Sequence, residues 1–166
     1  MRIRLATPAD FETLQEIERR AGTLFIDVGL PEIAEHPAPT LDELHEAEAL
    51  LVAVATGGQV VGYAWVERVD GETHLEQLSV LPEHGRQGVG TALLDAVVDW
   101  AHARGDRAVT LTTFRDVPFN GPLYAKRGFC EVPEAEWTEA ERQLVADEAA
   151  MGLEPATRML MRRSVQ

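Results

Sequence analysis

The chain has 166 residues, 45% hydrophobic and 26% charged, with a formal net charge of −13; this is the composition of one soluble globular domain, 1–166, long enough to bury roughly two thirds of its unfolded surface. The acidic balance excludes the basic stripe that a nucleic-acid partner requires and disfavours anionic membranes, while cationic partners are favoured by long-range steering. No apolar run approaches the ~20 residues of a membrane span, and the N-terminus lacks the apolar core of a signal peptide, so a cytoplasmic protein is expected.

In chain order, "RIRLA" alternates as a first strand. "TPADFETLQEIERRAG" then predicts a helix with Thr7 as N-cap, Pro8 in the first turn, Gly22 at the stop, and Phe11, Leu14, Ile17 and Ala21 as its buried stripe. "TLFIDVGLPEIAEHPAPT" is broken by Gly29, Pro31, Pro37 and Pro39 and reads as irregular, and "LDELHEAEA" as a short helix. Three strands follow, Leu50–Thr56, Gln59–Val69 and Thr73–Leu81, joined by tight turns at Gly57-Gly58 and Asp70-Gly71. The pattern then changes to a helix (Gln87–Arg104), a strand (Ala108–Phe114), a helix (Asn120–Arg127), a strand "FCEV", a helix "TEAERQLVADEAAMG" and a last strand "TRMLMRRSV". In the helix from Gln87, Leu93, Leu94, Val97, Val98 and Ala101 share one face. An antiparallel meander running into a β-helix-β crossover is a mixed α/β sheet.

Cys130, the only cysteine, permits no internal disulfide and reads as a packed core residue beside Phe129. The five histidines show no metal-ligand spacing, and no metal is expected. The charged stretch Glu134–Glu148 reads as a solvated helix face. His84 reads as loop surface, and Thr112 and Thr113 as polar positions of which one faces a cleft.

The stretch "SVLPEHGRQGVGTALL" places glycines two apart just before a helix, where backbone N–H groups are offered to an anion. It is not a phosphate loop of the Gly-Lys-Ser/Thr kind, because it holds no lysine. Nor is it a dinucleotide fingerprint, because the preceding strand is the fourth and is reached through hairpins.

The segment resembles the acyl-CoA loop of the GNAT N-acetyltransferase superfamily, written Q/R-x-x-G-x-G/A. Gly88 and Gly90 match its glycines; Gly85 stands where Gln or Arg is usual, followed by Arg86 and Gln87. About thirty residues on, "DVPFNGPLYAKRGFCEV" resembles the second half of that family, with Asn120 at the residue near the pantetheine arm, Tyr124 at the tyrosine near the sulfur, and Gly128-Phe129 at the turn into the next strand.

The resemblance implies an α/β (α+β) GNAT fold: a mostly antiparallel sheet of six to seven strands, helices on both faces, and a splay between strands four and five. It implies acetyl-CoA as co-substrate and direct transfer to a primary amine, of a small molecule in the first instance. A protein N-terminus or lysine is the alternative acceptor, and a non-catalytic acyl-CoA sensor the rival reading. A homodimer through sheet edges or the last strand is compatible with it.

Such a reaction needs a grip on the CoA phosphates, expected from Arg86, Gln87, Gly88, Val89, Gly90 and Thr91. It needs a strand edge for pantetheine, expected at Leu78, Ser79 and Val80, with Asn120 as a further CoA contact. An alkylamine is only ~0.04% neutral at pH 7, so a base is needed, and Glu76 is the candidate; Tyr124 is the expected proton donor to the departing thiolate. Phe25, Asp27 and Glu32, in the proline-broken segment that overhangs the acceptor cleft in this family, are the candidate substrate contacts.

Overall fold

The computed structural model describes residues 1–118 and 120–166, which fall into two compact units: Met1–Glu67 with Gln77–Val97, and Arg68–Glu76 with Val98–Gln166. Seven strands follow the order β1-β2-β3-β4-β5-β7-β6.

In the first unit, β1 (Arg2–Leu5) pairs antiparallel with β2 (Ala49–Val54), and β2 with β3 (Val60–Val69). Between β1 and β2 lie α1 (Phe11–Gly22), α2 (Pro31–Ala34) and α3 (Leu41–Glu46). The stripe predicted for α1, Phe11, Leu14, Ile17 and Ala21, is buried. The preceding residues Pro8–Asp10 form a 3-10 turn held by Asp10, which accepts from the Thr7 N–H at 2.8 Å and pairs with Arg4. The proline-broken segment is more ordered than its sequence suggests: Thr23–Phe25 form a 3-10 turn, and Pro31, whose fixed φ suits a first helical position, opens α2. The α3 helix stops at Glu46 because Ala47 turns extended (ψ 142°), which moves Ala49 into β2.

The two faces of β3 are covered by different helices. Tyr63 points to α1, where its hydroxyl donates to Glu18 at 2.7 Å. Gly62, on the opposite face, lies under α4 (Val89–Ala103): a Cβ there would meet Val89 and Leu93 side chains at 3.2 Å. Alternation along a strand sends neighbours to opposite faces, so α1 and α4 sandwich this part of the sheet. Leu93, Leu94, Val97, Val98 and Ala101 are buried as the periodicity requires.

The strand β4 (Glu72–Val80) is shared, its first half belonging to the second unit and its last residues to the first. It pairs parallel with β5 (Ala108–Phe114) over Thr73–Leu75 and Val109–Leu111. The ladder ends there, although β4 continues to Val80 and β5 to Phe114. The remaining elements are α5 (Gly121–Lys126), β6 (Cys130–Glu131), α6 (Glu139–Ala150) and β7 (Arg158–Ser164), with β7 antiparallel to both β5 and β6.

Two sequence expectations are overturned in the second unit. Cys130 is exposed rather than packed, because β6 is a short strand at the edge of the sheet and its neighbours Phe129 and Val132 take the buried positions. The acidic stretch is not wholly a solvated face: Glu141 is 3% exposed and pairs with Arg162, while the half-buried Glu148 pairs with Arg158 at 3.3 Å and accepts from the Thr112 hydroxyl at 2.6 Å. Burying a carboxylate is tolerable only with such partners, and the arginines of β7 supply them.

Candidate active site

The fourth strand leaves the sheet at Leu81, whose N–H donates to the Val61 carbonyl at 2.9 Å, and runs into a 3-10 turn at Pro82–His84. The chain then turns through Gly85, Arg86, Gln87 and Gly88 before α4 begins at Val89, two residues later than the periodicity alone suggests. Arg86 and Gly88 both lie in the left-handed region, at φ 59° and 84°. That conformation is routine for glycine and costs another residue about 1–2 kcal/mol, so the turn holds Arg86 in a strained backbone. Its side chain is exposed. A Cβ at Gly85 would stand 3.2 Å from the Pro82 carbonyl oxygen, so a side chain here would press on that carbonyl. The turn is braced from outside: Glu83 takes a two-pronged bond from Arg20 at 2.6 and 2.7 Å, and Gln87 donates to the Glu83 carbonyl at 3.2 Å. The result is a rigid approach to the N-terminus of a long helix, where unsatisfied N–H groups and the helix dipole favour an anion.

Immediately before that turn, Leu78 and Val80 are half-buried and Ser79 is buried. The Ser79 hydroxyl donates to Glu18 Oε2 at 2.7 Å and accepts from Gln77 Nε2 at 3.1 Å. The same Oε2 accepts from Tyr63. Burial raises the Glu18 carboxyl above its ordinary range, and the two hydroxyls pull it part of the way back. The Tyr63 hydroxyl is in turn raised well above its usual value, by burial and then by the carboxylate it serves.

In the second unit, His74 is 1% exposed and stands opposite Thr110 in the ladder, with Nδ1 at 2.9 Å from the threonine hydroxyl and Nε2 at 3.7 Å from the Glu76 carboxylate. Burial, aided by the charge of Arg158, depresses the imidazole to about 4, so it is neutral at physiological pH. Glu76 itself is exposed. Tyr124 is buried on α5, its ring edge-on to Phe129 at 6.0 Å; burial pushes its hydroxyl up to about 12 against a smaller opposing pull from Arg158. Asn120 occupies the N-cap position of α5, but its side chain makes no capping bond; its main-chain carbonyl accepts from Leu123 and Tyr124 instead. Phe25 is half-buried, whereas Asp27 and Glu32 are exposed in the segment between α1 and α3.

Residues 11–129 match the sequence profile of the Acetyltransferase (GNAT) family. The chain belongs to that family. Within it, the chain is 43% identical over 63 residues to a mycothiol acetyltransferase of Nocardiopsis dassonvillei, a match covering 32% of the chain and 19% of that protein, so the chain spans about a fifth of this curated relative's length. The fold is shared more widely. The PaiA N-acetyltransferase of Thermoplasma acidophilum, solved with coenzyme A, superposes with a TM-score of 0.70 at 16% identity, covering 99% of both chains. The ribosomal-protein-S18-alanine N-acetyltransferase of Escherichia coli gives 0.69 at 18% identity, covering 99% of this chain and 94% of that one.

As a GNAT chain, the protein carries two enclosed polar groups, the half-buried Glu18 and the buried His74, beyond those expected from the sequence. Glu18 falls within the apolar stripe of its helix, four residues from Leu14, seven from Phe11 and three from Ala21, whereas Glu12 and Glu16 lie on the opposite, exposed side; that carboxylate at a stripe position was the signal in the sequence. His74 sits in a strand where a polar residue usually means a solvated face. Only the pairing with Thr110 reveals that its side chain is enclosed. Among the described residues no helix is long and apolar enough to cross a membrane.

Proposed function

We propose that this GNAT chain, as a single domain spanning 1–166, transfers the acetyl group of acetyl-CoA to a primary amine of a small molecule. The observation that carries the reading is the turn with left-handed Arg86 and Gly88 feeding the start of α4. The family match and the CoA complex of the Thermoplasma neighbour support it.

On this reading the backbone from Arg86 to Thr91, including Gln87, Gly88, Val89 and Gly90, binds the CoA diphosphate, with the Arg86 guanidinium adding a second grip. Leu78, Ser79 and Val80 offer main-chain groups to pantetheine where the β4–β5 ladder has ended, and Asn120, its side chain not spent on capping, contacts the same arm. The reacting ammonium loses one proton to Glu76 and its nitrogen bonds to the thioester carbon; the C–S bond then breaks, and the second proton leaves the nitrogen for the departing CoA sulfur, giving the amide and CoA thiol. Tyr124 meets the sulfur. With its hydroxyl near 12 and a thiol near ~8.5, full proton transfer is uphill, so Tyr124 stabilises the leaving thiolate by donating a hydrogen bond. Phe25, Asp27 and Glu32 contact the acceptor.

The small-molecule acceptor is favoured by the mycothiol acetyltransferase relative; a protein amine is the competing acceptor within the same chemistry. Calorimetric titration with acetyl-CoA, followed by thiol release with a panel of small amines and peptide N-termini, tests the reading. Binding with amine-dependent thiol release supports it. Binding without transfer to any acceptor turns the chain into a CoA sensor, and no binding removes the reading altogether.

A further inference from the structure

Carboxylates withdrawn from water in this protein are matched with arginine. Asp106 is 7% and Glu141 3% exposed, and they pair with Arg68 and Arg162. Glu148 pairs with Arg158, and Asp10 with Arg4. Glu18 is the departure. It is half-buried and sufficiently desolvated for its carboxyl to be raised, yet among the described residues no arginine, lysine or histidine faces it. The groups that do are the Tyr63 hydroxyl from β3 and the Ser79 hydroxyl from β4, with Gln77 behind the serine. Both hydroxyls are spent on the same oxygen, Oε2, so Oε1 is uncommitted. A buried charge is ordinarily paired, and a carboxylate oriented by two donors but left without a counter-ion is built for a cation that arrives from outside.

We propose that Glu18 is the counter-ion for the ammonium group of the acceptor, which is bound in its charged form against Glu18 Oε1. The inference rests on the acyltransferase reading above and deepens it. Ser79 belongs to the β4 segment assigned there to the pantetheine arm, so Glu18 stands one side chain away from that edge. The net charge of −13 steers a cation toward the protein. Tyr63 is completely buried and acts only through Glu18, fixing its carboxylate; it is a positioning residue.

Because only the ionised carboxylate attracts the ammonium, amine affinity rises with pH through the Glu18 titration. The test is steady-state kinetics with n-butylamine, tyramine and alaninamide at saturating acetyl-CoA between pH 5 and 8, with calorimetry of acetyl-CoA as control. Glu18→Gln is expected to raise the amine KM about 10-fold or more, to flatten its acid-side pH dependence, and to leave acetyl-CoA affinity unchanged. Glu18→Asp is expected to restore part of the loss. Tyr63→Phe removes a hydrogen bond to the charged form and is expected to move the KM inflection to higher pH, which lost packing would not do. An unchanged amine KM in Glu18→Gln overturns the assignment while leaving the acyltransferase reading intact. If the wild type releases no thiol with any probe, that reading fails first, and the ammonium site is judged by carboxyl NMR. In that experiment n-butylammonium chloride must shift a resonance that disappears in Glu18→Gln; no shift overturns the proposal.

Discussion

His74 and Thr110 face one another across the only parallel ladder among the described strand pairs, and the imidazole Nδ1 lies 2.9 Å from the threonine hydroxyl in a site that excludes solvent. Enclosure depresses the histidine from 6.5 to about 4. The folded state thus holds fewer protons on His74 than the unfolded state between those values, so its contribution to stability is complete above pH 6.5 and is lost as the pH falls toward 4. The loss amounts to roughly 3 kcal/mol. Thermal melts taken from pH 7 to 4 are expected to fall steeply across that window, and His74→Asn, which cannot titrate, is expected to flatten the fall. Parallel curves for the two proteins would refute the assignment.

Glu76 and Tyr124 separate chemistry from binding. Glu76→Gln and Tyr124→Phe are each expected to lower kcat about 100-fold while leaving acetyl-CoA affinity unchanged by calorimetry. The pH profiles distinguish the two. With its hydroxyl near 12, Tyr124 contributes no alkaline decline below about pH 11, so a kcat limb near pH 8 that vanished in Tyr124→Phe would contradict the role given to it.

The turn before α4 makes opposite predictions for its two left-handed residues. Arg86→Gly relieves a strained backbone and removes a cation, so acetyl-CoA affinity is expected to fall while the melting temperature holds or rises. Gly88→Ala meets no neighbouring atom within 4 Å, and its cost is conformational alone, about 1 kcal/mol. Because that strain sits in the loop that presents N–H groups to the diphosphate, the alanine variant is also expected to weaken acetyl-CoA. Calorimetry and melting on the pair would show whether conformation or charge dominates the grip.

The legible features of this chain were the short-range ones. Spacing in α1 and α4 named the buried stripe Phe11, Leu14, Ile17, Leu93, Leu94 and Val97, and the turns at Gly57-Gly58 and Asp70-Gly71 delimited the meander. Two motifs, around Gly88 and around Tyr124, were enough to indicate the family. What remained hidden depended on partners distant in sequence. His74 is made exceptional by Thr110 and Glu141 by Arg162, at separations that no periodicity encodes; the same holds for Tyr63 and Ser79 as partners of Glu18, although its place in the apolar stripe of α1 is readable from spacing. Cys130 reads as core because Phe129 and Val132 lie close to it in the chain, but it shares a two-residue strand with the exposed Glu131 at an edge that only the topology reveals.

Gly62 provides the most direct test of how β3 and α4 are held together. A Cβ at this position would stand 3.0 Å from the Ser79 carbonyl oxygen and 3.2 Å from Leu93 and Val89 side chains, so backbone as well as side chains must yield. Gly62→Ala is expected to destabilise the fold by about 1–3 kcal/mol. At about 2–4 °C of melting temperature per kcal/mol, the variant should melt several degrees lower. Gly57 is the control: nothing lies within 4 Å of its Cβ position and its φ is ordinary, so Gly57→Ala should be neutral or slightly stabilising. Since the carbonyl that Gly62 accommodates belongs to Ser79, any displacement in Gly62→Ala also moves the strand edge assigned to pantetheine. Its acetyl-CoA affinity is therefore expected to drop together with its stability, whereas Gly57→Ala should leave both unchanged.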